Sequence, residues 1–221
     1  MSFPPETTIL HGRRRRRFAY ARFLAPLILV GGCGLAVSWD AGLFTSDGRF
    51  AALDACTLMP PPQPLAPLVS HGAREPGDSR PKNWLGGHSG DVSSQCKWSS
   101  VPAGQDRPFR TVRIRVQTWI REGHVSAETR ATRDQAQSRE PAARSHRTPA
   151  TPVGVGEQGY TYVDDSSIQI PLLETNIYDI HVKFRVSNAV VDVSARTHSR
   201  PGPKETALVL GLAEDVARRM S

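Results

Sequence analysis

The sequence predicts an α+β fold, an antiparallel sheet packed with helices, preceded by one transmembrane or signal segment. Three observations predict it. Five arginines, Arg13 to Arg17, stand just before an uncharged stretch from Phe23 to Trp39. Further on, short segments alternate apolar and polar residues, and two of them are joined through Ser187-Asn188 as a hairpin. The chain closes on a segment with helical periodicity, so strands and helices are segregated as in α+β folds.

The apolar stretch, FLAPLILVGGCGLAVSW, approaches the roughly 20 residues that span a bilayer as a helix. Phe18, Ala19 and Tyr20 extend it, and Arg22 can snorkel to the interface. In lipid its backbone must satisfy its own hydrogen bonds, which a helix does. Positive residues stay on the cytoplasmic side, so residues 1–22 read as cytoplasmic, 23–39 as the membrane or signal segment, 40–49 as a linker and 50–221 as an extracytoplasmic domain. Three fates are open to the segment: retention as a single-pass anchor, lipidation or cleavage. Leu29-Val30-Gly31-Gly32-Cys33 resembles a lipobox with Cys33 as the lipidation site, and Ala36-Val37-Ser38 has the small-x-small form of a cleavage site.

Net charge is +7 and the isoelectric point about 9.8. Residues 1–22 hold six Arg and one Glu, or +5, and 23–39 are uncharged, so +7 minus +5 leaves +2 for the rest. A nucleic-acid partner would require the basic excess on the folded domain, so nucleic acid is excluded as a partner and the membrane is expected as one. Residues 48–221 are enough for one domain with its own core.

The elements are expected in this order. Phe50 to Met59 reads as a short helix halted by Pro60-Pro61-Pro62. Pro60 to Lys82 is rich in Pro, Gly and charge and reads as a surface loop with little to bury. Ser94 to Ser99 is a short strand. Arg110 to Ile120 is a half-buried one, with Val112, Ile114 and Val116 on one face and Arg113, Arg115 and Gln117 on the other. Ser126 to Glu140 is a peripheral helix with Ala127, Ala131 and Gln135 on one side. Arg139 to Pro152 is a second loop. Glu157 to Val163 and Ile168 to Leu173 are strands, with a solvated turn at Asp164-Asp165 between them. Tyr178 to Val186 and Ala189 to Ala195 form the hairpin. The last helix starts near Pro203, carries Glu205 in its first turn and Arg218-Arg219 in its last, and lays Val209, Leu212, Val216 and Met220 on one side.

Outside the apolar stretch the cysteines are Cys56 and Cys96, and two cysteines in an oxidising compartment are expected to pair. The alternative is two free thiols, and a catalytic thiol needs an adjacent base whose spacing the sequence does not suggest.

Leu53-Asp54-Ala55-Cys56-Thr57-Leu58 after a membrane segment is followed by Cys96-Lys97-Trp98, by Val153-Gly154-Val155-Gly156-Glu157-Gln158-Gly159-Tyr160 and by the segment from Val182 to Val193. In that order these motifs resemble a domain-of-unknown-function family of actinobacterial envelope lipoproteins. They are also similar to the extracellular sensor domains of some actinobacterial receptor kinases. The resemblance covers roughly residues 48–221, implies an α+β sandwich on the outer membrane face, and carries no catalytic residues.

Other motifs are weak. His71, His88, His124, His146, His181 and His198 have no metal-ligand spacing and read as solvated or singly satisfied. Gly154-x-Gly156 leads into a strand rather than a helix and reads as a tight turn, not a phosphate loop. Gly87-His88-Ser89-Gly90 lacks the nucleophile-elbow order. Trp98 reads as core packing beside the cysteine pair, and Arg185 and Arg196 as a solvated face. The expected function is non-enzymatic: an anchored domain that needs no cofactor and binds an envelope lipid, glycan or protein. The alternative is a cell-envelope hydrolase or a structural partner of a membrane complex.

Overall fold

The alternation that puts Val112, Ile114 and Val116 on one side of a strand is repeated by its neighbours, and the result is a sheet with one apolar and one polar face. The computed structural model describes residues 45–81, 91–100, 110–140, 147–170 and 173–221; for 76–81, 167–170 and 173–175 it describes the backbone course alone. The basic N-terminus, the apolar segment, Cys33 and the Ala36-x-Ser38 site lie outside the described residues. Among the described residues no helix is long and apolar enough to cross a membrane. Ser46–Ser221 forms a compact unit.

The strands are β1 (Gly72–Pro81), β2 (Val92–Ser100), β3 (Thr111–Thr118), β4 (Thr151–Val153), β5 (Gln158–Ile170), β6 (Leu173–Val186) and β7 (Ala189–Thr197). They form one antiparallel sheet in the order β1-β2-β3-β7-β6-β5-β4. The helices among the described residues are α1 (Ala55–Leu58), α2 (Pro62–Leu65), α3 (Ala127–Arg139) and α4 (Pro203–Met220). The fold is therefore α+β, two meanders joined where β7 returns to pair with β3.

The apolar face carries Val112, Ile114 and Val116 of β3, Val191 and Val193 of β7, and Ile180, Val182 and Phe184 of β6, all fully buried. Each such side chain contributes on the order of 1.5–3 kcal/mol by leaving water. Helix α4 covers β6 and β7, with Val209, Leu212, Val216 and Met220 buried as the periodicity predicts. Pro203 opens it, Glu205 accepts from the Gly202 N–H at 3.0 Å, and Arg218 and Arg219 sit at its negative end. Helix α1 covers β2 and β3, and Cys56 is bonded to Cys96 there. Trp98 packs against the same core.

The hairpin turn does more than reverse the chain. Ser187 takes a positive φ of 51°, and Asn188 turns its amide fully inward. Asn188 Oδ1 accepts from the Phe50 N–H at 2.9 Å, and Nδ2 donates to the carbonyls of Phe50 and Trp119, both at 2.7 Å. One side chain thus ties the entering segment and the end of β3 to the turn.

Several expectations are corrected. The helix expected over Phe50 to Met59 is confined to Ala55–Leu58: the Asp54 side chain accepts from the Cys56 N–H at 2.9 Å and caps it, while the N–H and carbonyl of Phe50 are bonded to the Asn188 side chain. The stretch from Pro60 to Lys82 is not a loop with little to bury. Leu65, Leu68 and Val69 enter the core, and Gly72–Pro81 pairs with β2 as an edge strand with a bulge between Glu75 and Asp78. The two strands expected over Glu157–Val163 and Ile168–Leu173 are one long β5, so Asp164 and Asp165 lie inside a strand, opposite Asp179 and Tyr178, rather than at a turn. Pairing of β6 with β7 stops at Tyr178, so residues 166–170 and 173–177 run on as a two-stranded arm. In the second expected loop, Arg147 bridges to Asp164 and Thr151–Val153 forms β4. The Gly154-x-Gly156 segment is a tight turn into β5, as expected, with Gly156 at φ +62° and the Arg185 carbonyl 2.5 Å from where a Cβ would stand.

Candidate functional site: the polar face of the sheet

Register places the alternate residues of the strands in transverse rows on the face opposite the core. One row reads Gln95, Arg115, Asp192, Lys183, Tyr160; the next Lys97, Arg113, Ser194, His181, Tyr162; the third Ser99, Thr111, Arg196, Asp179, Asp164. Neighbours within a row on one face have Cβ atoms about 4.5–5.5 Å apart and so interact directly.

Helix α3 covers part of this face. Ser126 caps it by accepting from the Thr129 N–H at 3.2 Å, and Ala127, Ala131 and Gln135 are buried beneath it. Gln135 Nε2 donates to the Gln158 carbonyl at 2.6 Å, Ser138 and Tyr160 share a hydroxyl hydrogen bond at 2.8 Å, and Asp134 lies 3.9 Å from Lys183 Nζ. The first row is thus partly roofed at its Lys183–Tyr160 end, while Arg115 is exposed.

At one end of the second row is a stacked assembly. The Arg147 guanidinium lies 3.5 Å from the Tyr162 ring centroid, and the His181 imidazole stacks on that ring at 4.6 Å and 5°. Arg147 is aimed by donating to the Ser138 and Arg139 carbonyls at 2.8 and 3.1 Å, the negative end of α3. His181 is buried and donates from Nδ1 to Asp192 Oδ1 at 2.9 Å. Ser194 is its register partner, but no hydrogen bond joins the two among the described residues.

The electrostatics follow from this packing. Burial alone would raise the Asp192 carboxyl, but His181, Arg113 and Lys183 outweigh it and hold the group below its ordinary value. Burial lowers Lys183, against the pull of Asp134 and Asp192. Burial raises the Tyr162 phenol, and the Asp192 charge adds to it against Arg147. The hydrogen bonds from Arg196 to Asp179, 2.9 and 2.7 Å, raise the guanidinium further. Arg196 is therefore a clamped side chain, not the solvated one expected. Arg185 is also corrected: it is buried, with Nη1 2.7 Å from Glu157 and donating to the Ser187 carbonyl at 2.8 Å.

Between the second and third rows lies a depression of about 110 Å³, lined by Lys97, Thr111, Arg113, Asp179, Ser194 and Arg196. Neither Arg113 nor Arg115 has an ion-pair partner among the described residues, and Arg113 Nε is buried without a hydrogen bond. Lys97 faces Glu75 at 3.7 Å with both side chains more than 40% exposed, a pairing worth little.

Of the residues singled out from sequence, Cys56 and Cys96 are bonded to each other, away from this face, and Cys33 lies outside the described residues. Among the described residues no cluster of His, Cys, Asp or Glu is arranged to hold a metal ion. The polar side of β3 was visible as Arg113, Arg115 and Gln117. The convergence of Lys97, Arg196 and Asp179 on it was not, because it depends on non-local register. A scan against protein-family models finds no match for this chain, and neither do searches of curated proteins and of solved structures.

Proposed function

We propose that this chain is an envelope protein whose domain from Ser46 onward is held outside the cytoplasm and binds an anionic ligand through the uncovered part of its polar sheet face. The observation that carries the reading is the pair Arg113 and Arg115: two outward arginines of one strand whose shared acidic neighbour, Asp192, is already bonded to His181, beside a clamped Arg196. Cations in excess of the carboxylates left to pair with them, beside a depression, are an arrangement suited to anion recognition. The Cys56–Cys96 bond suits an oxidising compartment, and the arginine run before Phe23–Trp39 suits a membrane segment with the bulk of the chain outside. The resemblance to actinobacterial envelope lipoproteins and receptor-kinase sensor domains points the same way. Retention, lipidation at Cys33 or cleavage is decided by mass spectrometry of the mature N-terminus.

The binding reading is tested with the full-length chain in mild detergent, titrated with phosphatidylglycerol vesicles, phosphatidylcholine vesicles and an acidic polysaccharide. The anionic probes should bind, weaken with salt, and be lost in a Lys97→Glu/Arg115→Glu double variant. Equal binding by that variant would overturn it. The envelope-hydrolase alternative has the oriented His181–Asp192 pair in its favour. Turnover of chromogenic esters by the parent chain but not by His181→Gln would favour it instead.

A further inference from the structure

The geometry points to the depression between β2, β3, β7 and β6 as a seat for one phosphoryl group, which narrows the anionic ligand proposed above to a phosphate-bearing one and rests on that reading. The depression occupies a patch of adjacent register positions, Lys97–Arg113–Ser194 in one row and Thr111–Arg196–Asp179 in the next. It holds three cations and one carboxylate. That carboxylate is already committed: both Asp179 oxygens accept from Arg196. The other two cations are Lys97, whose neighbour Glu75 is exposed at 3.7 Å, and Arg113, which shares Asp192 with His181 and Lys183.

Size and donor arrangement select the group. At about 110 Å³ the depression encloses only a small group, and any larger ligand would extend beyond it over the sheet face. The volume corresponds to three or four waters at about 30 Å³ each, the scale of a tetrahedral oxyanion. A planar carboxylate is satisfied by one arginine fork. Here the donors come from different strands: the Arg113 guanidinium and Thr111 hydroxyl from β3, the Lys97 ammonium from β2 and the Ser194 hydroxyl from β7. A phosphoryl group presents three or more acceptor oxygens in different directions and can engage such a set at once. The ligand remainder must then lie outside the depression, over the open sheet face toward Arg115. The phosphate could belong to a lipid headgroup or to a soluble phosphate compound, and the two are separated by experiment.

The full-length chain in mild detergent is titrated by calorimetry with inorganic phosphate, glycerol 3-phosphate, phosphatidylglycerol vesicles and an oligogalacturonate as carboxylate control. The variants are Arg113→Gln, Lys97→Gln and, as a distant control, Arg218→Gln, each checked for an unchanged thermal transition. The more exposed Lys97→Gln serves if Arg113→Gln does not fold. Phosphate probes should bind at least about tenfold more weakly to Arg113→Gln and Lys97→Gln, the loss expected for one charge-assisted contact, and unchanged to Arg218→Gln. Binding of vesicles alone assigns the phosphate to a lipid; binding of glycerol 3-phosphate as well assigns it to the free group. The inference is overturned if no phosphate probe depends on Arg113 and Lys97. If oligogalacturonate still binds in a manner lost with Arg115→Gln, the binding face survives without its phosphate seat. If none of the probes binds, both fall together.

Discussion

Replacing Asn188 tests whether one side chain ties the entering segment to the sheet. Asn188→Ala removes three hydrogen bonds, from the Phe50 N–H at 2.9 Å and to the Phe50 and Trp119 carbonyls at 2.7 Å each. The site is fully buried, so water does not replace them without rearrangement. A typical hydrogen bond contributes about 0.5–1.5 kcal/mol net, and each buried group left unsatisfied costs about 1–3 kcal/mol. Partial relaxation puts the total near 3–4 kcal/mol, which for a domain of this size lowers Tm by about 6–16 °C. Asn188→Asp separates hydrogen bonding from volume. Its carboxylate could still accept from Phe50 N–H but would face two carbonyl oxygens. Burial and those dipoles raise the folded-state pKa of the introduced acid, so its penalty is full above that value and fades as pH falls toward the unfolded-state one. The assay is thermal unfolding of the full-length chain by circular dichroism, with amide exchange at Phe50 as a local probe. A loss below about 1 kcal/mol in Asn188→Ala with Phe50 still protected would refute the clamp.

The remaining predictions concern other parts of the same unit. Replacing both Cys56 and Cys96 by Ala opens a loop of sequence separation 40 and should cost about 4 kcal/mol in the chain-entropy account; stability unchanged by the double substitution or by reductant would contradict it. Arg130 is held by Asp91 through two contacts of 2.8 Å with both side chains largely buried, so Arg130→Met should cost about 3–5 kcal/mol by stranding the carboxylate. Asp91→Asn with Arg130→Met should cost less than Arg130→Met alone, as a double-mutant cycle would read. Asp192 is held below its ordinary carboxyl value, so its contribution is complete above the unfolded-state value of about 3.9 and is lost as pH falls through the folded one. Asp192→Asn should therefore show a shallower acid limb of stability than the parent chain, and parallel limbs would argue against the cluster.

Legibility from sequence tracked locality. The hairpin at Ser187-Asn188, the stripe of α4 and the two faces of β3 are set by neighbours within a few residues, and periodicity reports them. The stretch after Pro60 reads as a loop because its turn-rich composition hides Leu65, Leu68 and Val69, whose burial in the core depends on tertiary packing. Asp164-Asp165 reads as a turn by composition, yet cross-strand pairing over thirteen positions of β5 overrides that preference. Arg185 and Arg196 look like solvated charges until Glu157 and Asp179 are placed beside them.

By itself the sequence determined an α+β domain with an antiparallel hairpin and a terminal amphipathic helix, and the expectation that Cys56 and Cys96 pair. These are matters of period, cap and compartment, which act along the chain. Only the tertiary structure decided that Lys97, Arg113 and Arg196, from three different strands, share one depression, and that His181 meets Asp192 and Tyr162. The physical reason is that a row of side chains on a sheet face is fixed by strand order and register, and a slip of one residue would send every one of them to the opposite face.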